Sequence, residues 1–168
     1  MNFKPHDYQA YAINYIEEHH VAAVLLGLGM GKTIISLTAI SELMFDSFEI
    51  SKALIIGPLR VARDSWPMEI SKWEHLKHLT YAVAVGTLAE RKAALAKNSD
   101  ITIINRENVQ WLVESGNFLL VGIIDHRSRC PDAGDTDDDT SRQEERTDNQ
   151  HQFDFVFEIF YNHNCCDI

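Results

Sequence analysis

Cysteine is scarce in this 168-residue chain, with only Cys130, Cys165 and Cys166 present. Three cysteines with no Cys-x-x-Cys spacing offer neither a disulfide framework nor a redox or zinc pair. His163 stands near Cys165 and Cys166, but that spacing is too tight for tetrahedral ligation, so no metal site is expected there. Long apolar runs are missing too. None reaches the ~18–20 residues needed to cross a bilayer. The opening MNFKPHDY lacks a signal peptide's apolar core, so a cytoplasmic protein without membrane contact is expected. A basic surplus is also absent, since the formal net charge is −10. That acidity is unevenly spread: residues 1–117 carry 11 Lys/Arg against 13 Asp/Glu, and residues 118–168 carry 4 against 12. The charge therefore belongs to the end of the chain and says little about what the first part binds.

What is present centres on Val21 to Ile40, VAAVLLGLGMGKTIISLTAI. The apolar run Val21–Leu26 reads as a buried parallel strand, and Ile34, Leu37, Ile40 and Met44 follow at helical spacing. Between them lie Gly27, Leu28, Gly29, Met30, Gly31, Lys32 and Thr33. Strand, glycine-rich loop, Lys-Thr and helix in that order make a phosphate-binding loop. Glycines let the backbone take positive φ and approach a polyphosphate with no Cβ in the way. The loop N–H groups then converge at a helix N-terminus, which favours an anion. Lys32 is the residue expected to reach the β/γ-phosphates, and Thr33 the one expected to ligate Mg²⁺. The strict pattern would require a further glycine at position 26, which is Leu26.

Along the rest of the chain, strands alternate with helices. A helix over 7–19 carries Tyr8, Tyr11, Ala12, Tyr15 and Ile16 on one face. Gln9 lies in its first turn; alone, it reads as a solvated helix residue, although an amide can also pair with an adenine edge. Strands are expected at Ala53–Ile56, Thr80–Val85 and Ile101–Ile104, and a fifth at Phe118–Ile124 ends in Asp125. Ala62, Trp66, Ile70 and Trp73 share a helical face, with Pro67 tolerable in the first turn and the tryptophans read as core. Thr87-Leu88-Ala89-Glu90 forms a capping box. Alternation of this kind implies an α/β fold with a parallel sheet, helices on both faces and ligands at the strands' carboxyl ends. Asn105-Arg106-Glu107-Asn108 lacks the aspartate that a guanine-reading motif needs, so GTP is disfavoured. An apolar strand closing in Asp125 has the form of a Walker B strand whose carboxylate holds Mg²⁺ through water. The neighbouring position, where a glutamate would orient the attacking water, is His126. Residues 127–150 are aspartate-rich and nearly free of apolar side chains, a disordered composition. Phe153–Tyr161 is apolar enough to form one strand or to dock on the domain.

Taken together, residues 1–125 resemble the N-terminal RecA-like lobe of a Swi/Snf-type superfamily-two helicase, most closely in its phage and bacterial forms. His6-Asp7-Tyr8-Gln9 resembles the family's Q-motif, which assigns Gln9 to adenine. Gly27 to Thr33 is similar to its motif I, which also lacks the first Walker glycine. Pro58 to Trp66, continuing to Glu69 and Trp73, looks like motif Ia and its helix, and Ile101 to Glu107 resembles the following Asn-Tyr-Glu segment. The resemblance implies a P-loop NTPase lobe that binds ATP and Mg²⁺ and works on double-stranded DNA. Lys32 and Asp125 would be its catalytic residues, and a partner would supply a second RecA-like lobe. The departures are His126 in place of glutamate, and no counterpart of motif III or of the second lobe and its arginine fingers. The expectation is therefore an incomplete lobe over 1–125 and an acidic tail of little order over 126–168, weakly active or inactive alone. A coding frame disrupted near residues 117–126 is the favoured origin of the tail; a displaced Walker B strand within Gln152–Phe160 is the other. A non-enzymatic ATP-binding regulatory or decoy module and another P-loop hydrolase or kinase stand as alternative functions.

Overall fold

The computed structural model describes residues 1–116, 122–127 and 156–161, with side chains described for residues 1–116. The elements in order are α1 (Asp7–Glu18), β1 (Val21–Leu25), α2 (Lys32–Phe45), β2 (Ala53–Gly57), α3 (Trp66–Lys72), β3 (Tyr81–Ala84), α4 (Leu88–Leu95), β4 (Ile101–Asn105), α5 (Val109–Glu114), β5 (Gly122–Arg127) and β6 (Val156–Tyr161). One six-stranded sheet has the order β1-β6-β5-β2-β4-β3. β5, β2, β4 and β3 run parallel. β6 is antiparallel to both β1 and β5, so β1 points the same way as the parallel four.

The parallel sheet expected from sequence thus holds with one strand reversed. The register shows why: Val156, the first residue of β6, lies opposite Arg127, the last of β5. A chain that re-enters the sheet at the end where it left must run antiparallel, and no crossover helix is needed. β5 also continues two residues past Asp125, through His126 and Arg127. Of the expected strand at 118–124, residues 118–121 lie outside the described residues. So do most of the acidic segment 127–150 and Cys130, His163, Cys165 and Cys166.

Period-two alternation along the strands feeds two cores, one on each face of the sheet. On one face Ala53 and Ile55 of β2 and Ile101 and Ile103 of β4 meet α1, α2 and α3 through Ile16, Leu37 and Trp66. On the other, Leu54, Ala84 and Ile104 meet Ala94 of α4 and Leu112 of α5. Helices therefore lie on both faces. α2 is buried on nearly every side, from Ile34 through Met44. At about 1.5–3 kcal/mol for each buried aliphatic side chain, this helix dominates the first core. Two of its buried polar positions are tied down: Thr38 bonds His75 at 3.0 Å and Ser41 bonds His78 at 3.1 Å. Burial holds the His75 imidazole below its usual pKa.

The residues after β2 depart from a plain helix. Val61–Ser65 form a π-helical turn that runs into α3, with Pro67 in the first turn of α3. Ala62, Trp66 and Ile70 are buried on one face, as expected. The Thr87 capping box is present, with Glu90 Oε2 accepting from Thr87 N at 2.7 Å and Thr87 accepting from Glu90 N.

Where α1 ends beside α2, Glu17 shares a hydrogen bond with Glu42 and faces Asp46 and Glu49. Burial first, then the Glu42 bond and the surrounding carboxylates, push Glu17 up to about 8 from an ordinary 4.5. A raised acid pKa stabilises the folded state fully below the unfolded value, and that contribution is lost as pH rises through the folded value. The urea midpoint of the chain is therefore expected to fall between pH 5 and about 8.5. Glu17→Gln, which keeps the bond without the charge, is expected to flatten that decline; an unchanged slope would remove Glu17 as its cause.

Candidate functional site

The loop between β1 and α2 is built by two glycines in the left-handed region, Gly29 and Gly31, each at φ 77°. Gly31 is the N-cap of α2, so the helix starts directly at Lys32. Met30 N donates to Gly27 O at 3.4 Å, closing a turn at the start of the loop. A Cβ on Gly29 would meet nothing within 4 Å, whereas one on Gly31 would lie 2.6 Å from Gln9 Nε2 and 3.1 Å from Ile34. Gly29 thus faces open space, and Gly31 is pressed against α1.

Gln9 is buried and holds two elements together. Its Oε1 accepts from His6 N at 3.0 Å at the start of α1, and its Nε2 donates to Met30 O at 3.4 Å. The Tyr8 hydroxyl donates to the same Met30 carbonyl at 3.2 Å. One donor and one lone pair of the Gln9 amide are left over by these two bonds. Lys32, 7% exposed, curls back so that Nζ donates to Leu26 O at 2.8 Å and Gly27 O at 2.9 Å. Its ammonium therefore lies within the loop.

A cleft of about 690 Å³ opens over this loop, within the size range of small-molecule sites. Gln9, Leu28, Gly29, Gly31, Lys32 and Thr33 line it; Gly27 and Met30 do not. Its far wall was not visible from sequence. There Phe3 packs edge-on to Trp73 at 5.4 Å and stacks on His75 at 5.2 Å. Glu69 accepts from Trp73 Nε1 at 2.6 Å and from Lys72 at 3.1 Å. Trp66 is core, as read from sequence, but Trp73 lines the cleft. With Lys4, Lys32 and Lys72 around one opening, the cleft is lined by more cations than anions.

Two further segments singled out in the sequence have a place in the sheet. Asp125 is placed by its backbone alone, opposite Ile56 on β2 and opposite Glu158 on β6; its side chain and that of His126 lie outside the described ones. Asn105-Arg106-Glu107-Asn108 closes β4, and β6, β5 and β2 stand between it and β1. At about 4.8 Å per strand that is roughly 19 Å from the loop strand. The segment forms a local relay instead: Arg91 donates to Asn108, Asn108 to Asn105, and Asn105 to Glu107 at 2.5 Å. Arg91 also lies 4.3 Å over Trp111, joining α4 to α5.

The different surroundings of the two glycines give a direct comparison. Gly29→Ala carries only the left-handed backbone cost, about 1–2 kcal/mol. Gly31→Ala carries that cost and also displaces Gln9 from its two bonds, so it should lower the urea midpoint further. In a Gln9→Ala background the extra penalty should shrink, and a double-mutant cycle measures the coupling. Equal losses for the two alanine variants would contradict the packing of Gln9 on Gly31.

No family profile matches the chain. It is 38% identical over 114 residues to the p41 protein of Acyrthosiphon pisum secondary endosymbiont phage 1, a match covering 67% of this chain and 25% of that protein. The chain spans about a quarter of the length of this curated relative, whose name carries no activity.

Proposed function

We propose that residues 1–125 are a RecA-like, P-loop ATP-binding lobe of a DNA-translocating ATPase, of the Swi/Snf-type helicase class that the motif order resembles. The observation that carries this reading is the loop itself. Left-handed Gly29 and Gly31, a buried Lys32 and the Gln9 clamp all converge at the start of α2, on a cleft of about 690 Å³. The loop residues fit a polyphosphate: no Cβ would obstruct Gly29, and the Lys32 ammonium already rests on two carbonyls. In this reading Lys32 exchanges those carbonyls for phosphate oxygens, and the spare donor and acceptor of Gln9 read adenine. Thr33 and Asp125 would hold Mg²⁺, which when bound neutralises phosphate charge. Double-stranded DNA and a second lobe from a partner belong to the same proposal. A non-enzymatic ATP-binding module is the second reading, favoured by His126 standing beside Asp125 where a water-orienting glutamate would be needed.

Lys32→Ala removes a charge-assisted contact worth about 1.5–3 kcal/mol, so affinity for a fluorescent ATP analogue should fall roughly 10- to 150-fold. Equal affinity in the two proteins would defeat the assignment of the loop. Phosphate release by the chain alone is expected to be slow or absent, even with duplex DNA. The shorter, differently shaped His126 stands where the base would be, and in this reading the arginine finger, worth about 10³–10⁵ in rate, comes from the partner lobe. His126→Glu should restore little. DNA-stimulated release that Lys32→Ala abolishes would make the chain a complete enzyme in its own right.

A further inference from the structure

His75 stands behind the cleft rather than in it. Phe3 and Trp73 line the opening, and His75 does not. Its ring is stacked on that of Phe3 at 5.2 Å and within 15° of parallel, while Phe3 meets Trp73 edge-on at 5.4 Å. Its Nε2 bonds Thr38 Oγ1 of α2 at 3.0 Å. One imidazole thus joins three pieces of chain: the N-terminal segment that forms the wall, the segment between α3 and β3, and α2.

That joint suits a neutral ring. Thr38 satisfies Nε2, but Nδ1 is buried and has no hydrogen-bond partner among the described residues. Neutral, the ring leaves only a lone pair there, since Nε2 can donate to the hydroxyl. Protonated, it would hold an N–H without an acceptor and a charge without water, the costlier combination. Burial keeps the His75 pKa below 6.5; Glu42 of α2 pulls the other way, and His78 adds to the lowering. The ions around it are already engaged. Glu42 bonds Glu17, Glu74 bonds Lys77, Glu69 bonds Lys72, and the Met1 ammonium bonds Lys72 O. His78 repeats the arrangement three residues on, bonding Ser41 at 3.1 Å, but it is exposed and can take a charge in water. Buried Leu76 and Leu79 anchor the backbone beside both histidines. A charged His75 can therefore leave its seat without detaching the segment.

We propose that His75 is a proton-sensitive latch of the cleft wall: neutral, it seats Phe3 against Trp73; protonated, it turns to water and lets residues 1–3 lift away. The wall behaves in this way whatever ligand the cleft takes. In the open form the imidazole regains its ordinary value of 6.5, above that of the closed form. Opening is therefore favoured as pH falls below 6.5, by at most about tenfold per pH unit.

Hydrogen exchange tests this on the full chain. The Glu74 amide donates to Met1 O at 2.9 Å and reports the wall; the amide of Ile103, in the buried sheet, reports the whole fold. Between about pH 7.5 and 5.5 the protection factor of Glu74 is expected to fall roughly tenfold, while that of Ile103 does not fall. His75→Gln, whose amide can keep the Thr38 bond without titrating, is expected to abolish the fall. In the parent chain the His75 ring, followed by NMR, should titrate in step with the Glu74 amide, a readout that does not depend on the variant folding. A Glu74 protection factor that is flat with pH would overturn the latch, as would an equal fall in His75→Gln or a ring titration out of step with the amide. A parallel fall at Ile103 would equally overturn it, making acid unfolding the cause.

Discussion

The carbonyl of Met30 is held from two sides of one helical turn, by the Tyr8 hydroxyl and the Gln9 amide. Much of the site follows from that pair of bonds. They fix the crest of the loop against α1 and bring Gln9 within 2.6 Å of where a Gly31 side chain would begin. Only glycine tolerates both that approach and the left-handed φ. With Gly31 so constrained, α2 starts directly at Lys32 and the ammonium returns over Leu26 and Gly27. A loop of six residues, 26–31, is thereby held by contacts that no single segment supplies.

The second constraint is the burial of α2. It lies between the sheet and α1, with α3 and the Glu74–Leu76 turn also against it. A helix buried all round cannot shift without opening a core, so the loop at its N-terminus inherits that rigidity. Part of the polar cost is met locally, by His75 on Thr38 and His78 on Ser41. The weak point is the carboxyl cluster of Glu17 and Glu42, where α1 meets α2 at the end away from the loop. Cohesion between these helices thus depends on a shared proton at one end and on neutral amide bonds at the other.

Sequence pattern was sufficient wherever the signal was local. The positions of β1, the glycine loop and α2 were legible because apolar period, glycine spacing and Lys-Thr occur in one stretch of twenty residues. The run read as a buried parallel strand, however, is exposed at Val21 and Leu25 and pairs antiparallel with β6. The Thr87 box was legible because its two partners are three residues apart. The wall formed by Phe3 and Trp73 was not legible, because it joins residues seventy positions apart. The π-helical turn at Val61–Ser65 was missed because apolar residues four apart, such as Ala62 and Trp66, fit either helical period. Gln9 was read as exposed in isolation, since nothing in α1 alone shows that a loop twenty residues on will bury it. The reversal of β6 depends on where the chain re-enters the sheet, which no periodicity encodes.

That reversed strand bears on how a nucleotide site could be completed. β6 lies between β1 and β5, and its pairings put Asp125 level with Ala23, through Glu158. Two inter-strand spacings, about 10 Å, therefore separate the strand that enters the loop from the strand that carries Asp125. Under the proposed reading, Thr33 and Asp125 would hold Mg²⁺ between the two strands, and that cation would neutralise phosphate charge. Binding would depend on the loop, held by residues 8 to 33, and hydrolysis on the placement of β5 by β6. The two functions would rest on separate parts of the fold, so that a chain could keep the first while lacking the second.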